Sequence, residues 1–100
     1  MTPVFRVLEG KRAGEVFEIH NVEEQEIGLG RMNDNAFVID DPLVARRHAQ
    51  IILRGNRFFV VDLGTHNGTF LNSNRIVEHS SQLVKSGDQI KIGNTVLEII

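Results

Sequence analysis

The one-hundred-residue sequence contains no cysteine. That excludes a disulfide framework, a thiolate metal site and a cysteine nucleophile, and it suits a reducing compartment. A basic excess is also missing: 11 lysines and arginines against 13 aspartates and glutamates give a formal net charge of −2. Nucleic-acid binders of this size draw affinity from neutralising phosphates with surplus cations, so nucleic acid is excluded as the partner. No apolar run approaches the roughly 20 residues needed to span a bilayer. Met1-Thr2-Pro3 starts no charged-then-apolar leader. No window of helical length carries an apolar stripe at i, i+3, i+4, i+7 free of glycine. The expectation is a cytoplasmic domain, poor in helix, with no membrane partner.

What is present has the rhythm of short strands. Val4–Glu9 mixes β-branched and aromatic residues and stops at Gly10. Residues 15–20, 26–31 and 36–39 read as further strands, the second with interleaved glycines that signal close packing. Ala49–Arg54 and Arg57–Asp62 flank Gly55-Asn56, a strong hairpin signal. Thr69–Leu71 and residues 75–77 are split by Asn72-Ser73-Asn74, and Gln82–Val84, Gln89–Ile92 and residues 95–100 complete the series. The pattern predicts one all-β domain over residues 1–100, a sandwich or barrel with a single core.

In such a fold the loops carry function. Two connections hold more chemistry than turns require. One runs from Gly30-Arg31 through Asn33-Asp34-Asn35 to Leu43-Val44-Ala45-Arg46-Arg47-His48, and the other is Asp62-Leu63-Gly64-Thr65-His66-Asn67-Gly68-Thr69. Arginine forks, histidines, an asparagine amide and glycine-freed backbone amides are the donor set of an anion site. Residue types alone leave a second reading open, of solvated arginines and ordinary Gly-Asn turns.

The order Gly30-Arg31, then Ala45-Arg46-Arg47-His48, then Asp62 through Asn72 resembles the signature of the forkhead-associated (FHA) domain. The likeness covers nearly the whole chain, with strand-like runs between the motifs. It implies an FHA-like sandwich of about eleven strands in two antiparallel sheets. The implied function is capture of a phosphothreonine in an extended partner segment, without cofactor or catalysis. By the same resemblance, Arg31 pairs with the phosphate, Arg46 assists it, and Asn67 bonds the peptide backbone. Leu43 contributes to choosing a residue near the phosphothreonine. Gly30, His48, Thr65 and Gly68 support the loops.

Two positions depart from the family pattern. Ala45 stands where a phosphate-binding serine is usual, and His66 where a serine or threonine commonly precedes the asparagine. A hydrogen bond to a charged group is worth roughly 1.5–3 kcal/mol, about ten- to 150-fold in affinity. The departures therefore predict a weakened site, with His66 as a substitute donor. They also motivate a rival reading, a phosphorylation-independent interaction or assembly domain on the same fold. An enzyme fits poorly. Thr65, His48, His66 and Asp62 match no acyl-transfer motif, no phosphate loop is present, and the four histidines offer no pair at metal-ligand spacing.

Overall fold

Alternating burial builds the strands. The computed structural model describes residues 4–19 and 25–100. Its strands are β1 (Val4–Glu9), β2 (Val16–Glu18), β3 (Gln25–Gly30), β4 (Phe37–Val38), β5 (Ala49–Arg54) and β6 (Arg57–Asp62). They continue with β7 (Thr69–Leu71), β8 (Asn74–Arg75), β9 (Gln82–Val84), β10 (Gln89–Ile92) and β11 (Thr95–Ile99), and no helix occurs among the described residues. On β5, Ala49, Ile51 and Leu53 are buried while Gln50 and Ile52 are half-buried. On β10, Ile90 and Ile92 point inward, and Gln89 and Lys91 face solvent. Period-two alternation of this kind leaves each sheet one apolar face.

The two sheets run in the orders β2-β1-β11-β10-β7-β8 and β4-β3-β5-β6-β9. Phe5, Val7, Ile90, Ile92, Leu97 and Ile99 from the first meet Leu29, Ile51, Leu53, Phe58 and Val60 from the second in one core. Each such side chain stabilises the fold by about 1.5–3 kcal/mol relative to exposure.

Three expectations need adjustment. The sheets are not wholly antiparallel, because β4 lies parallel to β3, with Leu29 opposite Phe37 and Gly30 opposite Val38. Asn35 makes this return possible: its Nδ2 donates to Met32 O and Arg46 O at 2.9 and 2.8 Å, tying the loop to its neighbour. The strand expected at 75–77 is instead Asn74–Arg75, since Asn74 already pairs with Leu71. Asn72 and Ser73 take φ of 47° and 72°, so they form a tight two-residue turn of the primed class and Asn74 joins the ladder. The second strand stops at Glu18, and His20, like residues 1–3, lies outside the described residues.

Candidate functional site

Register brings the loops together. Leu29 on β3 lies opposite Ala49 on β5, and Ala49 lies opposite Asp62 on β6. The end of β3, the start of β5 and the end of β6 are therefore neighbours, and segments 31–36, 39–48 and 63–68 leave the sheet at one end of its strands. Thr69, the first residue of β7 in the other sheet, closes the corner by donating its hydroxyl to Asp62 Oδ1 at 2.7 Å.

The first two segments are zipped by backbone bonds, from Arg31 N to Ala45 O at 3.0 Å and from Met32 N to Arg46 O at 3.2 Å. A β-carbon at Gly30 would overlap the Arg46 carbonyl, so this approach of two backbones requires glycine. Consecutive carbonyls then hold the two chemically prominent side chains. Arg31 Nε donates to Val44 O at 3.1 Å, and Asn67 Nδ2 donates to Leu43 O at 2.9 Å. Arg31 Nη1 and Nη2 and Asn67 Oδ1 make no bond among the described residues. Between them opens a cleft of about 230 Å3, lined by Arg31, Pro42, Leu43, Ala45, His66 and Asn67 and, behind these, by Val44, His48 and Thr65.

His48 is fully buried and joins the two loops. Its Nδ1 accepts the Ala45 N–H at 3.0 Å, so the proton sits on Nε2, which lies 2.8 Å from Gly68 O and 3.2 Å from Thr65 Oγ1. The Thr65 hydroxyl donates a hydrogen bond to Asp62 Oδ1 at 2.8 Å and accepts the Gly68 N–H at 3.1 Å. Asp62 Oδ2 takes the amides of Gly64 and Thr65, each at 3.0 Å. Burial pushes the Asp62 carboxyl up, but the bonds from Thr69, Thr65 and Gly64 outweigh it and hold the group below its ordinary value. The Thr65 hydroxyl is committed to a carboxylate, and both His48 ring nitrogens are engaged in hydrogen bonds.

Most residues singled out from sequence gather in this corner. Arg31, Leu43, Ala45, His66 and Asn67 line the cleft, and Gly30, His48, Thr65 and Gly68 tie its loops together. Gly68 has φ of +78°, the left-handed conformation expected of it. Arg46 is the exception. Its exposed side chain is not part of the lining, whereas its carbonyl anchors Met32 and Asn35.

Three supports escaped the sequence reading. Asn35 is the buried brace of the first loop, and Asp41 is a buried carboxylate beneath the second. Arg75 Nη2 donates to the His66 and Thr65 carbonyls at 3.1 and 3.4 Å, steadying the third. The only sequence trace of the first two is a polar residue inside a turn cluster, which is common in ordinary turns.

The FHA domain profile matches residues 27–93. The chain is 33% identical over 78 residues to FHA domain-containing protein FhaB of Mycobacterium tuberculosis, covering 78% of this chain and 49% of that protein. Glycogen accumulation regulator GarA of Mycolicibacterium smegmatis is 36% identical over 87 residues, 87% of this chain and 51% of GarA. An oxoglutarate dehydrogenase inhibitor of Corynebacterium jeikeium is 34% identical over 87 residues, 87% of this chain and 56% of the inhibitor. The chain thus spans about half the length of the curated relatives it matches. Among solved structures, the FHA domain of an Arabidopsis thaliana hypothetical protein superimposes with a TM-score of 0.89 at 28% identity, over 98% of this chain and 83% of that one. With a profile match over two-thirds of its length and the same fold throughout, the chain belongs to the forkhead-associated domain family.

Proposed function

We propose that this domain captures a phosphothreonine in an extended segment of a partner protein, at the cleft between Arg31 and Asn67. One observation carries the reading: both side chains are held by carbonyls of adjacent residues beside one cleft, and among the described residues their remaining polar atoms make no bond. With Nε committed to Val44, the Nη1 and Nη2 pair of Arg31 offers two parallel N–H donors that match two phosphate oxygens. Asn67 Oδ1 accepts an N–H from the bound backbone and sets its register. His66 donates at the corner where Ala45 supplies no hydroxyl, so binding is weaker than a serine at 45 would give. Arg46 adds long-range attraction from the rim. Leu43, 45% exposed at the cleft, favours an apolar residue three positions after the phosphothreonine.

Relatives named as a regulator and as an inhibitor support an interaction module over an enzyme. On this reading residues 1–100 form one FHA domain working in the cytoplasm, without cofactor.

Calorimetric titration with one threonine peptide, phosphorylated and unphosphorylated, tests the proposal. The expected result is measurable binding of the phosphorylated form alone. Equal binding of both forms would move the domain to the phosphorylation-independent class, for which the Ala45 and His66 departures are the motive.

A further inference from the structure

The loop whose carbonyls hold Arg31 and Asn67 is itself fastened by a buried carboxylate. Asp41 is 5% exposed and is not part of the cleft lining. Its Oδ1 accepts the Leu43 N–H at 2.9 Å, and its backbone carbonyl accepts the Val44 N–H at 3.0 Å. Those two residues are the ones whose own carbonyls bind the Asn67 and Arg31 side chains. Asp41 Oδ2 turns the other way. It accepts the Asn94 N–H at 2.7 Å and the Thr95 hydroxyl at 3.3 Å, joining the loop to the β10–β11 turn 53 residues along the chain. The turn packs closely there: a β-carbon on Gly93 would lie 3.0 Å from both Asp41 Oδ2 and Val44 Cγ2.

We propose that Asp41 is a positioning residue for the cleft, and that the β10–β11 turn sets the cleft's geometry through it. A buried carboxylate with three donors is rigid, because each lost bond leaves a donor unsatisfied away from water. The carbonyls of Leu43 and Val44 therefore stay where the Arg31 fork and the Asn67 amide need them. A paired donor site tolerates displacements of only about 0.5 Å, so slack in this loop reaches the ligand directly.

The affinity arm of the test rests on the phosphothreonine reading; the ligand-free arm does not. In the free protein, NMR of the Arg31 Nε–H and the Asn67 side-chain amide reports their bonds to Val44 O and Leu43 O. We expect Asp41→Ala to shift both signals and speed their exchange with water, while β5 and β6 amides keep their protection. Asp41→Asn, which retains one acceptor oxygen, should fall between. Thr95→Val, which removes one hydroxyl at near-constant shape, should give a smaller shift of the same sign and serves if Asp41→Ala does not fold.

Phosphothreonine peptide should bind Asp41→Ala about ten-fold more weakly, and Thr95→Val by a few-fold. Unchanged Arg31 and Asn67 signals in a folded Asp41 variant, or in Thr95→Val where no Asp41 variant folds, overturn the proposal. Altered signals, in a protein whose wild type does not distinguish phosphorylated peptide, would remove the functional reading and leave the positioning role standing.

Discussion

On the proposed reading, Arg31 and Ala45 are where single atoms decide affinity. Arg31→Ala deletes a charge-assisted fork and should weaken phosphothreonine peptide by more than about ten-fold, the largest loss of any one change. Arg31→Lys should recover little, since an ammonium cannot donate two parallel bonds or reproduce the Nε bond to Val44 O. Titration of both variants, with the fold checked by circular dichroism, decides the point; unaltered affinity in Arg31→Ala places phosphate recognition elsewhere. Ala45→Ser returns a hydroxyl to the cleft. About three- to thirty-fold tightening is expected for phosphorylated peptide and none for the unphosphorylated form, with displaced water limiting the gain. Equal changes for both peptides would show that position 45 does not face phosphate. Arg31 and Asn67 were legible because their motifs are local. The contribution of Arg46 was not, because its carbonyl does the anchoring, and every residue has a carbonyl.

Loops and turns carry the next level. The site exists because a glycine lets β3 pass against the 45–47 segment, and because His48 ties that segment to the 65–68 loop. Gly30→Ala forces a methyl group into the Arg46 carbonyl. Loss of about 1–3 kcal/mol in urea unfolding is expected, together with weaker peptide binding as the Arg31–Ala45 bond opens. A Gly30→Ala protein of wild-type stability would contradict the close approach. The opposite sign is expected at the β7–β8 turn. Ser73 holds φ of 72° at an exposed position, a conformation costly for a residue with a β-carbon. Ser73→Gly relieves that cost, so stability should rise by about 0.5–1 kcal/mol, again by urea unfolding, with peptide affinity unchanged. Strand positions were readable from period-two alternation. The parallel β3–β4 pair was not, because alternation says which face a residue takes and nothing about strand direction.

For the molecule as a whole, Asp62 links the binding corner to acid stability. Its folded carboxyl titrates below its ordinary 3.8, so the unfolded chain binds its proton first as pH falls. The stabilisation from this group is complete above about that value and is lost as pH drops through the lower folded value. Asp62→Ala should therefore be less stable at pH 7 and show a shallower loss below pH about 4 than the wild type. Urea midpoints from pH 7 to pH 2 test this, and parallel acid limbs in the two proteins would show that Asp62 gives no such contribution. Because its four donors come from 64, 65 and 69, the same loss should loosen the 63–68 loop.

The sequence by itself determined an all-β sandwich or barrel and the positions of most of its strands, and its resemblance to the FHA signature narrowed this to a sandwich and pointed to Arg31, Asn67 and His48. Short-range pattern suffices for the strands, since alternation of burial is written within a few residues, and the family likeness rests on motifs that are each equally short. Tertiary structure alone decided which atoms of those residues are committed and which stay free. It also supplied the supports: Asp41 reaching Asn94, Arg75 reaching His66, and Asn35 reaching Arg46. A hydrogen bond between distant residues leaves no local pattern, because its geometry arises only when the two sheets pack and bring their loops to one end.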